Sequence, residues 1–302
     1  MRTLNHLKTM MLLAALTALF MALGYAFAGA SGAIVALVLA AAMNAFTYWN
    51  ADKIVLGMHE ARPVDARTAP ELYAIVQRLA TRAGLPMPKV FLIDSEHPNA
   101  FATGRSPKNA AVAVTTGLLR ILDLDEVEAV TAHELAHVKN GDTLVMTLAA
   151  TLAGAISMIA NFGLFFRGND SRGNALAGLL SVIVAPFAAM LLQLALSRAR
   201  EYGADRRGAE ICGRPRALAS ALAKLDLAAK RIPNAVAERN PAAASLYIVP
   251  ALSNGDSLFS THPATENRVS ALLTLEAELG RGTARAVGPG GGDRPMHRLR
   301  RI

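Results

Sequence analysis

The chain has 302 residues, of which 53% are hydrophobic and only 18% charged, with a mean hydropathy of +0.31. Ordinary soluble domains carry about 25% charged residues, so this composition excludes a disordered chain and speaks against a fully soluble one. The single cysteine, Cys212, excludes an intramolecular disulfide framework, a Cys-rich zinc finger and an iron–sulfur cluster held by this chain alone. The net charge of +8 does not mark a nucleic-acid surface. Of that charge, +5 falls in residues 281–302, where Arg281, Arg285, Arg294, Arg298, Arg300 and Arg301 face one acid, Asp293, around Gly288-Pro289-Gly290-Gly291-Gly292. No aromatic residues interleave with these cations, so we expect a flexible basic tail and no nucleic-acid partner.

From Thr9 to Ala51 there is no charged side chain. A bilayer span needs roughly 20 apolar residues, and Gly29-Ala30-Ser31-Gly32 offers a turn midway. Two helices are expected, about 9–28 and 32–50. A cleavable signal ending at Ala26-Phe27-Ala28 is the competing reading, although the run is long for one and a second span follows at once. Two further uncharged runs, Thr143–Phe166 and Gly173–Ser197, are separated by the short polar link Arg167–Arg172. They are expected to form a second membrane hairpin, against the alternative of helices buried in a soluble core. Lys and Arg cluster at Arg2 and Lys8, at Lys53, Arg62 and Arg67, and at Arg198, Arg200, Arg206 and Arg207. That bias puts both termini and the segments 53–142 and 198–302 in the cytoplasm, and the lone cysteine agrees with a reducing compartment.

Between the second and third apolar runs the sequence reads as globular. Leu72, Ile75, Val76 and Leu79 recur at helical spacing over 69–83, and Gly84 stops that helix. Lys89–Asp94, Ala100–Thr103 and Ala110–Thr115 read as strands, the last two around a turn at Arg105–Asn109. Helical patterning returns after Gly117 and again over 213–230 and 264–279.

The segment from Asp125 to His137 carries the chemistry. Asp125 and Glu128 are spaced as a capping box, and Gly141 supplies a stop. His133 and His137 then share one helix face at i and i+4, a spacing at which two imidazoles reach one Zn²⁺. Glu134, one position on, stands beside such an ion as a proton acceptor for bound water. A catalytic zinc needs a third protein ligand and an open position. His6, His59, His97, His262 and His297 are available, as are carboxylates. Glu201 has a geometric argument in its favour. It follows the fourth apolar run by four residues, and His137 precedes the third by six, so a hairpin returns both to one membrane face. Asp205, one turn later, is placed to orient a ligating imidazole.

His133-Glu134-Leu135-Ala136-His137-Val138-Lys139-Asn140-Gly141-Asp142, together with Glu201-Tyr202-Gly203-Ala204-Asp205, strongly resembles the HtpX family of bacterial membrane metalloproteases, relatives of the type I CAAX prenyl proteases. The resemblance runs to about residue 275. It implies that His133, His137 and Glu201 bind one Zn²⁺ per chain, that Glu134 is the general base, and that Asp205 supports the ligands. Asn99-Ala100-Phe101 is similar to the family's segment at the cleft edge, where a strand pairs with substrate backbone. Thr261-His262-Pro263, followed by Arg268, is similar to its C-terminal His-Pro motif, with His262 a donor to the tetrahedral oxyanion.

The expected protein is an α+β membrane protein, mostly helical, with about four transmembrane helices and a zincin-like cytosolic catalytic domain holding a small β-sheet. Its parts are a transmembrane hairpin (1–52), a first catalytic segment (53–142), a second hairpin (143–197), a second catalytic segment (198–280) and the tail (281–302). By resemblance it is a multi-pass protein of the bacterial inner membrane that hydrolyses misfolded membrane proteins from the cytoplasmic side. Its partners are then protein substrates and the lipid bilayer. A zinc-dependent membrane scaffold without turnover and a prenyl-protein protease are the alternatives. The sequence leaves substrate preference and oligomeric state open.

Overall fold

A computed structural model of the chain describes residues 2–152, 198–232, 246–249 and 263–286. The apolar runs beyond residue 152, His262 and the basic tail from residue 287 lie outside these. The fold is mostly helical with one small mixed sheet. Helix α1, Arg2–Met58, is two helices joined at a break where Ala28 and Gly29 leave helical geometry. Gly29 takes φ +59° there, a conformation that glycine adopts without strain. The break falls one residue or so from the turn expected at 29–32, but the second arm runs on to Met58, well past residue 50.

The arms are Leu7–Ala26 and Ala28–Met58, each long and apolar enough to cross a bilayer. They pack closely at Gly24 and Gly32, where a methyl group on either would overlap the other's carbonyl oxygen. Lower down, Asn44 Nδ2 donates to Thr17 Oγ1 at 2.9 Å. The outward surface carries Met10, Met11, Ile34, Val35, Val38, Leu39 and Phe46, all exposed. A soluble core helix buries such residues; a helix facing lipid does not.

The remaining elements are β1 (Arg62–Val64), α2 (Pro70–Ala83), β2 (Lys89–Ile93), β3 (Ala100–Ser106), β4 (Asn109–Thr115), α3 (Thr116–Ile121), α4 (Leu124–Asn140), α5 (Thr143–Leu152), α6 (Arg198–Cys212), α7 (Pro215–Ala229) and α8 (Thr265–Ala286). The sheet order is β1-β2-β4-β3, with β2 and β4 parallel and the outer pairs antiparallel, so β3 is an edge strand.

Strand alternation sorts the sheet's side chains into two layers. Ala100, Ala102, Val112 and Val114 face a core shared with Ile75, Val76 and Leu79 of α2, with Val130 and Leu135 of α4, and with Leu218 and Leu222 of α7. Phe101, Ala111, Ala113 and Ile93 face the other way, against Val55 and Leu56 at the end of α1 and Met146 and Ala150 of α5. The sheet therefore lies between the helices that carry the chemistry and those continuous with the apolar hairpin.

Helix α4 begins differently from the sequence expectation. Its N-cap is Asp123, which accepts from Glu126 N at 2.9 Å while Glu126 Oε2 accepts from Asp123 N at 3.0 Å. Asp125 and Glu128 have the same spacing, but Glu128 is buried inside a ring of Arg78, Arg82 and Arg214. The box closes two residues earlier because the tertiary cations claim the later carboxylate. At the other end Gly141 takes φ +76° and turns the chain back on itself.

Candidate metal centre

One turn of α4 sets His133 and His137 on a common face. Their Nε2 atoms lie 3.2 Å apart, with the rings nearly perpendicular at 89°. Helix α6 brings Glu201 across from the far side of the gap in sequence. Its Oε2 is 3.8 Å from His133 Nε2 and its Oε1 is 3.7 Å from His137 Nε2. Helix α6 approaches this closely because Gly208 has no side chain: a Cβ there would press into the backbone N and Cα of His133.

Each imidazole is held from behind by a carboxylate. Asp205 Oδ1 lies 2.9 Å from His133 Nδ1. Asp142 Oδ2 lies 3.1 Å from His137 Nδ1. Carboxylates at both Nδ1 atoms favour protons there and turn the two Nε2 lone pairs toward each other. So close an approach of two Nε2 atoms needs a positive charge between them, a shared proton in the metal-free protein or a metal ion in its place. Tetrahedral ligands at 2.0–2.1 Å from zinc stand about 3.3 Å apart, close to the observed Nε2 separation. The residues present thus fit a zinc ion, with Glu201 as the oxygen ligand.

Glu134 points to the neighbouring strand, where Ala102 N donates to its Oε2 at 2.8 Å. Burial pushes the Glu134 carboxyl up from its ordinary pKa, against the pull of the two imidazoles, and Glu201 adds to the rise. His137 moves up as well, to about 9: burial opposes its charge, but the Asp142 hydrogen bond and the carboxylates of Glu201 and Glu134 outweigh it.

Behind Asp205 stands Arg268 of α8, only 2% exposed. Its Nε and Nη2 donate to the two Asp205 oxygens at 2.8 and 2.7 Å, and its Nη1 donates to Ile248 O at 2.7 Å. Nη1 also lies 3.6 Å from Glu201 Oε2. Burial works to raise the Asp205 pKa, but Arg268 and His133 more than reverse this and hold the carboxyl below its usual range.

A helix with two histidines one turn apart, a glutamate between them and a third ligand from a later helix is the arrangement of a metallopeptidase, and the sequence profile of peptidase family M48 matches residues 66–276. The chain belongs to peptidase family M48. This is the metallopeptidase family that includes HtpX, so the resemblance read from the two motifs holds at family level. Among solved structures, the crystal structure of Ste24p from S. mikatae is similar at 20% identity and a TM-score of 0.49. That likeness covers 89% of this chain and 66% of the Ste24p chain.

In this M48 chain the structure brings His133, Glu134, His137, Glu201 and Asp205 together. Asn99 directly precedes β3, and Ala100 and Phe101 open it; all three are buried. Asn99 Oδ1 accepts from Ile248 N at 3.2 Å, so the short stretch 246–249 lies over this end of the strand. Asp205 does not pair with Arg206 or Arg207, the sequence neighbours that offered a surface ion pair; Arg206 instead meets Glu210.

Two contributors were not assigned from sequence. Asp142 sits inside the first motif, and the glycine before it was the available signal, since a left-handed Gly141 folds the next residue back toward the helix. Arg268 stands out in the sequence only as the residue that follows the Thr261-His262-Pro263 motif, and nothing local identifies it as the partner of Asp205.

Proposed function

We propose that the chain is a zinc-dependent endopeptidase of the bacterial inner membrane, acting from the cytoplasmic side on misfolded or damaged membrane proteins. In this reading, residues 1–52 and 143–197 form two membrane hairpins, and 53–142 with 198–280 form one catalytic domain. The observation that carries it is the pair of Nε2 atoms facing each other beside Glu201, with the elevated Glu134 carboxylate next to them.

When bound, zinc acidifies water to near-neutral pKa and polarises the scissile carbonyl. His133, His137 and Glu201 hold it, while Asp205 and Asp142 fix the Nδ1 protons that keep both imidazoles aimed. Glu134 accepts the proton of the attacking water and delivers it to the leaving amine. A buried carboxyl with a raised pKa suits that exchange, because its proton affinity lies closer to working pH than that of an exposed glutamate. The outer edge of β3 supplies backbone groups for an extended peptide, and His262 is assigned as donor to the oxyanion.

The test is Glu134→Gln. It should retain zinc at wild-type stoichiometry and lose hydrolysis of casein or of a membrane-protein substrate. Turnover near wild type would refute the assignment. A scaffold without turnover predicts that this variant keeps its biological effect, which separates the two readings.

A further inference from the structure

The hairpin supplies an internal measure of where the bilayer surface lies. From the break at Gly29 to Trp49 the second arm runs 20 residues, about 30 Å at 1.5 Å per residue, which matches the thickness of the hydrocarbon core. Tyr48 and Trp49 stand adjacent there with ring centroids 4.5 Å apart, and Trp49 is exposed. Aromatic pairs of this kind collect at the headgroup level.

Arg105, at the end of β3, reaches this point. Its Nη1 donates to Trp49 O at 3.4 Å, and its guanidinium lies 5.5 Å from the Trp49 ring centre. Lys108 is exposed in the same turn. Ala102, whose N–H meets Glu134, is three strand residues from Arg105, about 10 Å along the chain. That length bounds the height of Glu134's partner above the headgroups.

A second path gives the same level. His137 bonds Asp142, and two residues further on Leu144 joins an apolar cluster with Leu12 and Leu16 of the first arm. Leu12 is five residues inside that arm, about 8 Å below its start. The chain passes from a metal-ligand partner to hydrocarbon depth within one turn of helix.

Resting on the endopeptidase reading above, we propose that the substrates are bonds close to a membrane anchor, cut where the chain has left the bilayer by only a few residues. Strand β3 runs toward the membrane from Ala100 to Ser106. An extended peptide paired along its outer edge descends directly into the headgroup layer, and about three extended residues cover the distance. The outer edge carries, by alternation, the N–H groups of Ala100 and Gly104, and that of Ala102, which Glu134 accepts here and gives up when a substrate strand pairs. Segments far from an anchor reach the same site only at the lower effective concentration of a long tether.

Two measurements on the full zinc-loaded chain in proteoliposomes test this. Trp49 is the only tryptophan, so its fluorescence reads its own depth. Lipids brominated near the headgroup should quench it more than lipids brominated at the chain end; the reverse order, or no quenching by either, overturns the placement. Single-span reporters then carry one cleavable stretch at about 4, 10, 20 or 40 residues from the span, and the same stretch is supplied as a detached peptide. Cleavage should be fastest at the two shortest spacings, and a fourfold longer tether should lower the rate roughly eightfold. Rates that are flat or rise with spacing overturn the proposal. If no substrate, detached peptide included, is cut while zinc is bound and Trp49 is shallow, the endopeptidase reading fails and takes the spacing rule with it.

Discussion

Replacing Arg268 with methionine tests whether the metal ligands depend on a residue that never touches the ion. In the native protein its guanidinium makes two hydrogen bonds to Asp205 and one to Ile248 O, all shorter than 3 Å and all buried. Arg268→Met leaves the Asp205 carboxylate buried beside His133 without its guanidinium partner, and it removes the donor to the Ile248 carbonyl. Breaking a buried ion pair from one side costs about 3–5 kcal/mol; the separate hydrogen-bond contributions are contained in that figure and do not add to it.

Asp205 also aims His133, and loss of such support lowers metal affinity about 10–100-fold. Zinc dissociation constants from chelator competition and thermal melts of the solubilised chain, with and without zinc, measure the two effects. The gap between zinc-loaded and zinc-free melting should shrink, which a purely structural role would leave intact. Arg268→Lys, which keeps a cation but not the two-pronged geometry, should fall between. The double variant Asp205→Asn with Arg268→Met should cost less than the sum of the singles. Overlapping melts and an unchanged zinc constant in Arg268→Met would refute the reasoning.

Gly208→Ala should separate α6 from α4, because the added methyl meets the His133 backbone; about 1–3 kcal/mol of stability and a weaker zinc constant are expected, and a variant with both unchanged would disprove the close-contact account. For His137 the direction of the pH effect follows from its raised pKa. Protonated His137 stabilises the metal-free protein fully below about pH 6.5, and that contribution disappears as pH rises through about 9. Metal binding must displace the same proton. Metal-free stability should therefore fall, and zinc affinity rise, between those limits; Asp142→Asn should narrow the window, and parallel pH curves for both proteins would count against the Asp142 contact.

The sequence made α4 legible because its chemistry is local: two histidines at i and i+4 fall on one face whatever surrounds them. The exact start of the helix was not legible. Asp123 with Glu126 and Asp125 with Glu128 are equivalent signals, and only the packing of Arg78, Arg82 and Arg214 around Glu128 decides between them. The edge strand is three residues longer than the sequence suggests, since Gly104 to Ser106 continue it through an irregular register that side-chain alternation does not reveal. Glu201 was reachable by counting apolar runs. Arg268 was visible beside the His-Pro motif, but its role was not: its partner lies 63 residues away, and nothing in the intervening sequence fixes the distance between α6 and α8.

The ligand cluster spans the order of synthesis. His133 and His137 leave the ribosome early, Glu201 and Asp205 later, and Arg268, which clamps Asp205, near the end. A nascent chain, or one truncated ahead of α8, lacks the clamp and so holds its imidazoles loosely. Tight seating of the imidazoles then waits for near-complete translation, because the residue that clamps Asp205 is among the last to be made.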